Sequence, residues 1–338
     1  MDGLEILPVR GIGDVTAGDD LAELITRAAP WLRDGDVLVV TSKIVSKAEG
    51  RLVEVPADGP EREAARAEVL ASQTRRVVAR RGPTAIVQTH HGFVMAAAGI
   101  DASNVDKTHL VLLPESPDES ARRLRAACAA RGLQVGVIVS DTMGRAWRNG
   151  LTDVALGAAG IAPLRDHRGE IDPYGNELEL TEMAVIDELA AAGELVKGKC
   201  DQVPVAVVRG YPGAGVAETP GADVLLRDAA SDMFSLGTAE ARAEGLRAAA
   251  ALPQAATDAP ADADAVRRAI GTAGLDGSVA VPSPQTLRCT ATDTTPAGLM
   301  RFGADVHRLR AALAAEGLAS AVAYDEGGAT VAVSAAAP

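Results

Sequence analysis

Short unbroken apolar runs alternate along this chain with longer segments whose apolar residues recur every three to four positions, so strands and helices should follow one another. Residues 36–41 are such a run and predict a strand, with a helix before it over 20–32. A second helix is predicted over 61–73, leaving through a basic stretch that holds Arg75, Arg76, Arg80 and Arg81. Residues 87–89 and 93–95 read as a short hairpin pair, and 110–113 as another strand. Helical spacing over 119–131 feeds the apolar run 135–139, which reads as a buried strand. Next come a small, apolar stretch over 151–160 and a turn-rich one over 166–176. A helix over 181–192 and a buried strand over 203–208 follow, and 225–236 closes this part of the chain.

The pattern then fades. Residues 246–263 are mostly Ala, Pro and Asp without an apolar period, which marks a linker. Beyond it, a helix over 264–273, a strand over 286–291, a helix over 297–315 and strands over 319–324 and 329–334 make a small α/β tail domain, 264–338. The expected division is thus a main domain over 1–245, a linker and a tail, in the α+β (mixed α/β) class. A chain of 338 residues is long for one domain and agrees with that division.

Composition narrows the functions. Aromatic residues make up only 2% of the chain, so the core is built from small aliphatics and stacking platforms for nucleic-acid bases are not expected. A net charge of -13 argues against nucleic acid as a partner, because phosphate neutralisation supplies most non-specific affinity there. If the substrates are anions, metal ions and a few placed Lys or Arg residues must reverse the local field. The N-terminus has no basic, apolar signal pattern and no run of about 18 apolar residues occurs, so neither secretion nor a membrane is expected. Cys128, Cys200 and Cys289 are odd in number and far apart, which suits a reducing cytoplasm.

The richest chemistry follows the strand at 135–139: Ser140, Asp141, Thr142, Met143, Gly144, Arg145, Ala146, Trp147, Arg148, Asn149 and Gly150. Read as a strand end, this stretch offers carboxylate and hydroxyl oxygens that suit Mg2+ or Mn2+ bridging phosphates, with a structural salt-bridge knot as the plain alternative. Arg145 and Arg148 could present planar forks to a phosphate or carboxylate. Thr41 to Lys47 follows another strand with three hydroxyls and two ammonium groups. Extended, it would alternate faces; as a helical turn it would bring Lys43 and Lys47 to one face, and either form resembles an anion grip. Gly11-Ile12-Gly13-Asp14-Val15 is a short glycine loop that reads first as an ordinary turn. No dinucleotide fingerprint or P-loop is present. Asp101 could be a hard-cation ligand, with Asn104 contacting a bound ligand nearby, or a helix cap or turn. His91 could be an acid/base group but reads first as structural, 172–177 could be a site but reads first as a turn, and the acids Glu182, Asp187 and Glu188 read as a solvated helix face.

Several of these blocks together resemble the coenzyme F-420 gamma-glutamyl ligase family, its actinobacterial branch most of all. They are Gly35 to Lys47, His91 to Val94, Ala98 to Val105, Ser140 to Gly150, Asp172 to Leu178, Leu195 to Lys199 and Val207 to Gly210, within about residues 4–240. The resemblance implies the family's mixed-sheet fold of two packed subdomains and a homodimer of intertwined subunits. It implies GTP- and metal-dependent addition of L-glutamate to coenzyme F-420-0, extending to a gamma-linked tail through an acyl phosphate, with Mg2+ or Mn2+ as the ion. By position, it places metal ligands on Asp101, Asp141 and Thr142 and GTP contacts on Ile12, Gly13, Asp14, Val15, Ser42, Lys47 and Asn104. Arg145 and Arg148 are assigned to substrate charge as a separate hypothesis, and Glu218 is a further metal-ligand candidate. The first loop departs from the Leu-Pro-Glu of relatives, which weakens the carry-over to residues 12–15, and the segment after Gly210 does not align residue by residue. Many actinobacterial relatives carry a large flavin-binding domain; the short tail here predicts no flavin site. Two other readings stay open: a carboxylate–amine ligase for a different acid, and a GTP-binding regulatory protein without turnover.

Overall fold

A computed structural model describes residues 3–103, 105–215, 218–275 and 278–336. Its organising element is a five-stranded sheet made of β1 (Glu5–Val9), β2 (Val37–Thr41), β3 (Gly136–Arg145), β4 (Arg148–Ala159) and β5 (Val205–Arg209). The spatial order is β1-β5-β2-β3-β4, and only the central β2/β3 pair is parallel, with Thr41 opposite Ser140. The helices that position the site are α1 (Leu21–Ala28), α2 (Ser42–Ala48), α3 (Pro117–Ala129) and α4 (Val185–Lys197).

Alternation along β2 explains why it reads as one apolar run. Leu38 and Val40 pack into a core with α1, α2 and α3, whereas Val37 and Val39 face a second core under α4. A strand covered on both faces loses the polar half of its pattern. Close contact of α4 with the sheet requires Gly193, since a Cβ there would lie 2.9 Å from Val39. Gly157 on β4 does the same for α3: a Cβ would sit 2.2 Å from the Pro117 carbonyl.

Two of the expected elements change. The strand at 135–139 does not end at Asp141; it runs on to Arg145 and turns back through Trp147, at φ 56°, into β4. Pairing between Gly144 and Leu151 and between Arg145 and Arg148 keeps it extended, a long-range preference that local composition does not carry. The helix expected over 181–192 starts at Val185 and reaches Lys197, because Glu182 and Met183 are held in a short strand pair with Arg165 and Asp166.

Smaller sheets flank the main one: Thr74–Arg81, Thr84–Thr89 and Val94–Ala96 form three strands, and Leu52–Glu54 pairs with His109–Val111. The chain divides into compact units at Met1–Gly237 and Thr238–Pro338, a boundary ahead of residue 245. The second unit has a four-stranded antiparallel sheet, in the order Val279–Ser283, Thr286–Thr290, Gly328–Ala335, Leu318–Asp325. Its own core includes Val266, Leu287, Leu309, Leu313 and Val331. Within the stretch expected as linker, helix Thr238–Ala250 runs past residue 246. Further on, the Ala255 amide donates to the Ser320 carbonyl and the Thr257 amide to the Ser334 hydroxyl. Backbone groups without an apolar period can still dress a sheet edge. Among the described residues no helix is long and apolar enough to cross a membrane.

Candidate active site

A cavity of about 840 Å³ opens where the parallel pair β2/β3 ends. There β2 passes directly into α2, so the segment Thr41 to Lys47 takes the helical form and Lys43 and Lys47 both reach the cavity. The glycine loop contributes Gly13, Asp14 and Val15, the turn after the Val94–Ala96 strand contributes Asp101, and β3 contributes Asp141 and Thr142. Residues separated by some 130 positions in sequence thus share one wall.

The cavity wall carries side-chain charges of both signs. Lys43 Nζ lies 2.6 Å from Asp101 Oδ2 and donates to the Ser103 hydroxyl at 2.6 Å. Burial works to raise Asp101, but the hydrogen bonds from Lys43 and from the Ser103 amide outweigh it and hold the carboxyl below its usual range. Asp141 behaves oppositely. Burial, joined by the charges of Asp153 and Asp101, pushes it up to about 7 against the Thr142 amide and Lys43. A carboxylate so poorly compensated in a cavity favours binding of a cation. Lys47 Nζ reaches Asp14 Oδ1 at 3.2 Å.

Asp101, Asp141 and Thr142 supply hard oxygen donors of the kind Mg2+ and Mn2+ take. Among the described residues no three His, Cys, Asp or Glu side chains converge into a complete ligand cage.

Other expected positions fall elsewhere. Ile12 is buried in the core and Ser42 is buried at the start of α2; neither lines the cavity. Asn104 lies outside the described residues. Glu218 is exposed and away from the cavity wall. Arg145 and Arg148 face each other at the exposed tip of the β3–β4 hairpin, four residues along the strand from Asp141, about 13 Å at ordinary strand rise. They do not line the cavity of their own chain. His91 is structural, with Nε2 bonded to the carbonyls of Pro114 and Glu115. Asp172 makes a turn, accepting from the amides of Tyr174 and Asn176.

Residues that sequence reading left without a role complete the wall: Asp153 from β4, Glu194 and Lys197 from α4, and Lys199 just beyond it. Asp153 carried a legible signal, a lone acid inside the small apolar run that β4 became. Lys197 carried none, because its burial depends on α4 extending past residue 192 and lying against the sheet.

Carboxylate and hydroxyl oxygens beside ammonium groups in one cavity suit chemistry on charged substrates. The chain is 40% identical over 249 residues to a protein of Methanothermobacter thermautotrophicus named coenzyme F420:L-glutamate ligase, a match covering 69% of this chain and 99% of the relative. It is 41% identical over 221 residues to a protein of that name from Methanopyrus kandleri, covering 61% and 87% respectively. It is also 42% identical over 223 residues to one from Halobacterium salinarum, covering 60% and 85%. These relatives make the chain an enzyme of the ligase class. The family model described as F420-0:Gamma-glutamyl ligase matches residues 11–210, and the chain belongs to that family.

Proposed function

We propose that this chain joins L-glutamate to coenzyme F-420-0 at the expense of GTP, with Mg2+ or Mn2+, and extends the product through further gamma-linked glutamates. The observation that carries the reading is the meeting of Asp14 and Lys47 with Asp101, Asp141 and Thr142 around one cavity, inside the residues matched by the family. The terminal carboxylate of the acceptor attacks the γ-phosphate, forming an acyl phosphate as GDP leaves. The glutamate amine then attacks the acyl carbon and expels phosphate. Phosphoryl transfer needs mainly positioning and charge stabilisation, so no nucleophilic side chain is required.

Within this reading Asp101, Asp141 and Thr142 hold the ion, which would neutralise charge on the transferring phosphoryl group. Lys47 and the loop Gly13 to Val15 receive the nucleotide; Ile12, Ser42 and Asn104 are assigned to it by the family resemblance alone. Lys43, paired with Asp101 on the same cavity wall, joins Lys47 in receiving the nucleotide. Residues 1–245 are assigned as the catalytic domain and the tail as an addition without a flavin. A homodimer is part of the proposal, supported by bare apolar side chains on the hairpin and the following arm: Trp147 is 82% exposed, Tyr174 92% and Leu180 90%. A cytoplasmic location is part of the proposal, supported by the three free cysteines, Cys128, Cys200 and Cys289.

Mass spectrometry of the deazaflavin acceptor after incubation with GTP, Mn2+ and glutamate tests the function. A ladder spaced by glutamyl residues, absent without GTP or after chelation, is expected. No mass increase, or GDP release that needs an acid other than this acceptor, refutes it.

A further inference from the structure

Lys197 is 1% exposed and Asp153 2%, so both charges are buried where they line the cavity wall. Fully buried lysines are rare, and a buried ion pair contributes little to stability compared with an apolar pair of the same shape. Its position gives it another use. Asp153 Oδ1 accepts the Thr142 hydroxyl proton at 2.7 Å, and Oδ2 accepts from the Ser140 hydroxyl and from Lys197 Nζ, both at 2.9 Å. Lys197 also donates to Ser140 at 3.0 Å and Thr41 at 3.3 Å, and lies 3.2 Å from Glu194 Oε2.

Both Asp153 oxygens are therefore engaged by protein donors, and its charge is matched by Lys197. A hydroxyl has one proton and two lone pairs. With the Thr142 proton committed to Asp153, only lone pairs face the cavity. One of them accepts from Lys199 at 2.7 Å, whose largely exposed ammonium is also ion-paired with Glu194 and must move off Thr142 for a cation to bind there.

We propose that Asp153 and Lys197 are a positioning pair that fixes the Thr142 hydroxyl with its proton turned inward, so that its oxygen can serve only as an acceptor for a cation. This rests on the reading of the cavity as a divalent-metal site. Neither residue touches the ion; Asp153 acts through Thr142, and Lys197 holds Asp153 in register between Thr142 and Ser140. Partners one bond removed from a metal ligand typically change metal affinity about 10–100-fold when lost.

Two double variants, each with unchanged net charge, isolate the effect. Asp153→Asn with Lys197→Met keeps an acceptor for the Thr142 proton, because the Asn amide can donate to Ser140. Asp153→Leu with Lys197→Met fills the space without an acceptor; Asp153→Ala replaces it if the leucine variant lacks the parental circular dichroism spectrum. Binding of Mn2+ alone to the full chain is read from loss of the free-ion electron paramagnetic resonance signal. The asparagine variant is expected within about threefold of the parent and the leucine variant about 10–100-fold weaker. Equal affinity in the parent and the leucine variant, or equal loss in both variants, overturns the proposal. A parent that binds no Mn2+ overturns the metal reading itself, and this inference with it.

Discussion

Asp141→Asn should make the metal-free protein more stable while removing its metal site. The carboxyl is raised from an ordinary 3.8 to about 7, with burial the main cause and Asp153 and Asp101 adding repulsion. At about 1.36 kcal/mol per tenfold change in proton affinity, ionising it in the folded chain is harder than in the unfolded one by roughly 4 kcal/mol. The direction with pH follows. Between about pH 4 and 7 the folded chain binds this proton and the unfolded chain does not, so parental stability falls as pH rises through that window. Asparagine does not titrate, and its carbonyl keeps the bond now made from the Thr142 amide at 2.9 Å. The variant should therefore match the parent near pH 4 and exceed it at pH 8 by up to about 4 kcal/mol, or roughly 10 °C for a unit of this size. Thermal melts in chelator at both pH values measure this. Adding Mn2+ at pH 8 should raise the parent's midpoint and leave the variant's unchanged. A variant no more stable than the parent at pH 8 in chelator, or a gap that ignores pH, would refute the reasoning.

Three further outcomes are expected. Gly157→Ala places a methyl 2.2 Å from the Pro117 backbone, which only movement of α3 can relieve, so urea denaturation should show a loss of about 1–3 kcal/mol; an unchanged midpoint would contradict the packing. Arg145→Ala should keep parental Mn2+ affinity, since the hairpin tip is away from the cavity of its own chain; a tenfold loss by the resonance assay would return the arginine to the metal site. Residues 238–338 expressed alone should unfold cooperatively in a calorimeter, because Leu287, Leu309, Leu313 and Val331 give that unit a closed core of its own. A broad, non-cooperative trace would count against it.

Much of the frame is legible in local pattern. The runs at 36–41 and 203–208 predicted β2 and β5, and helical spacing over 20–32 and 119–131 predicted α1 and α3, because burial of one face or both leaves a period in the sequence. The same reasoning offered two forms for Thr41 to Lys47. Only the covering of α2 by the β-sheet core, with Ile44 and Val45 buried, selected the helix.

Residue type by itself determined the kind of chemistry: Asp101, Asp141 and Thr142 are hard oxygen donors and Lys47 an anion partner wherever they lie. Which of them meet was decided by tertiary structure. Parallel pairing of β2 with β3 brings α2 beside Asp141, whereas antiparallel pairing of β3 with β4 carries Arg145 and Arg148 out to the hairpin tip. Register also sets Asp153 against Thr142, and packing of α4 delivers Lys197 to Asp153. A sequence states what each side chain can do. Strand partners distant in the chain decide which oxygen faces a cavity, because pairing energy is long-range and leaves no local period.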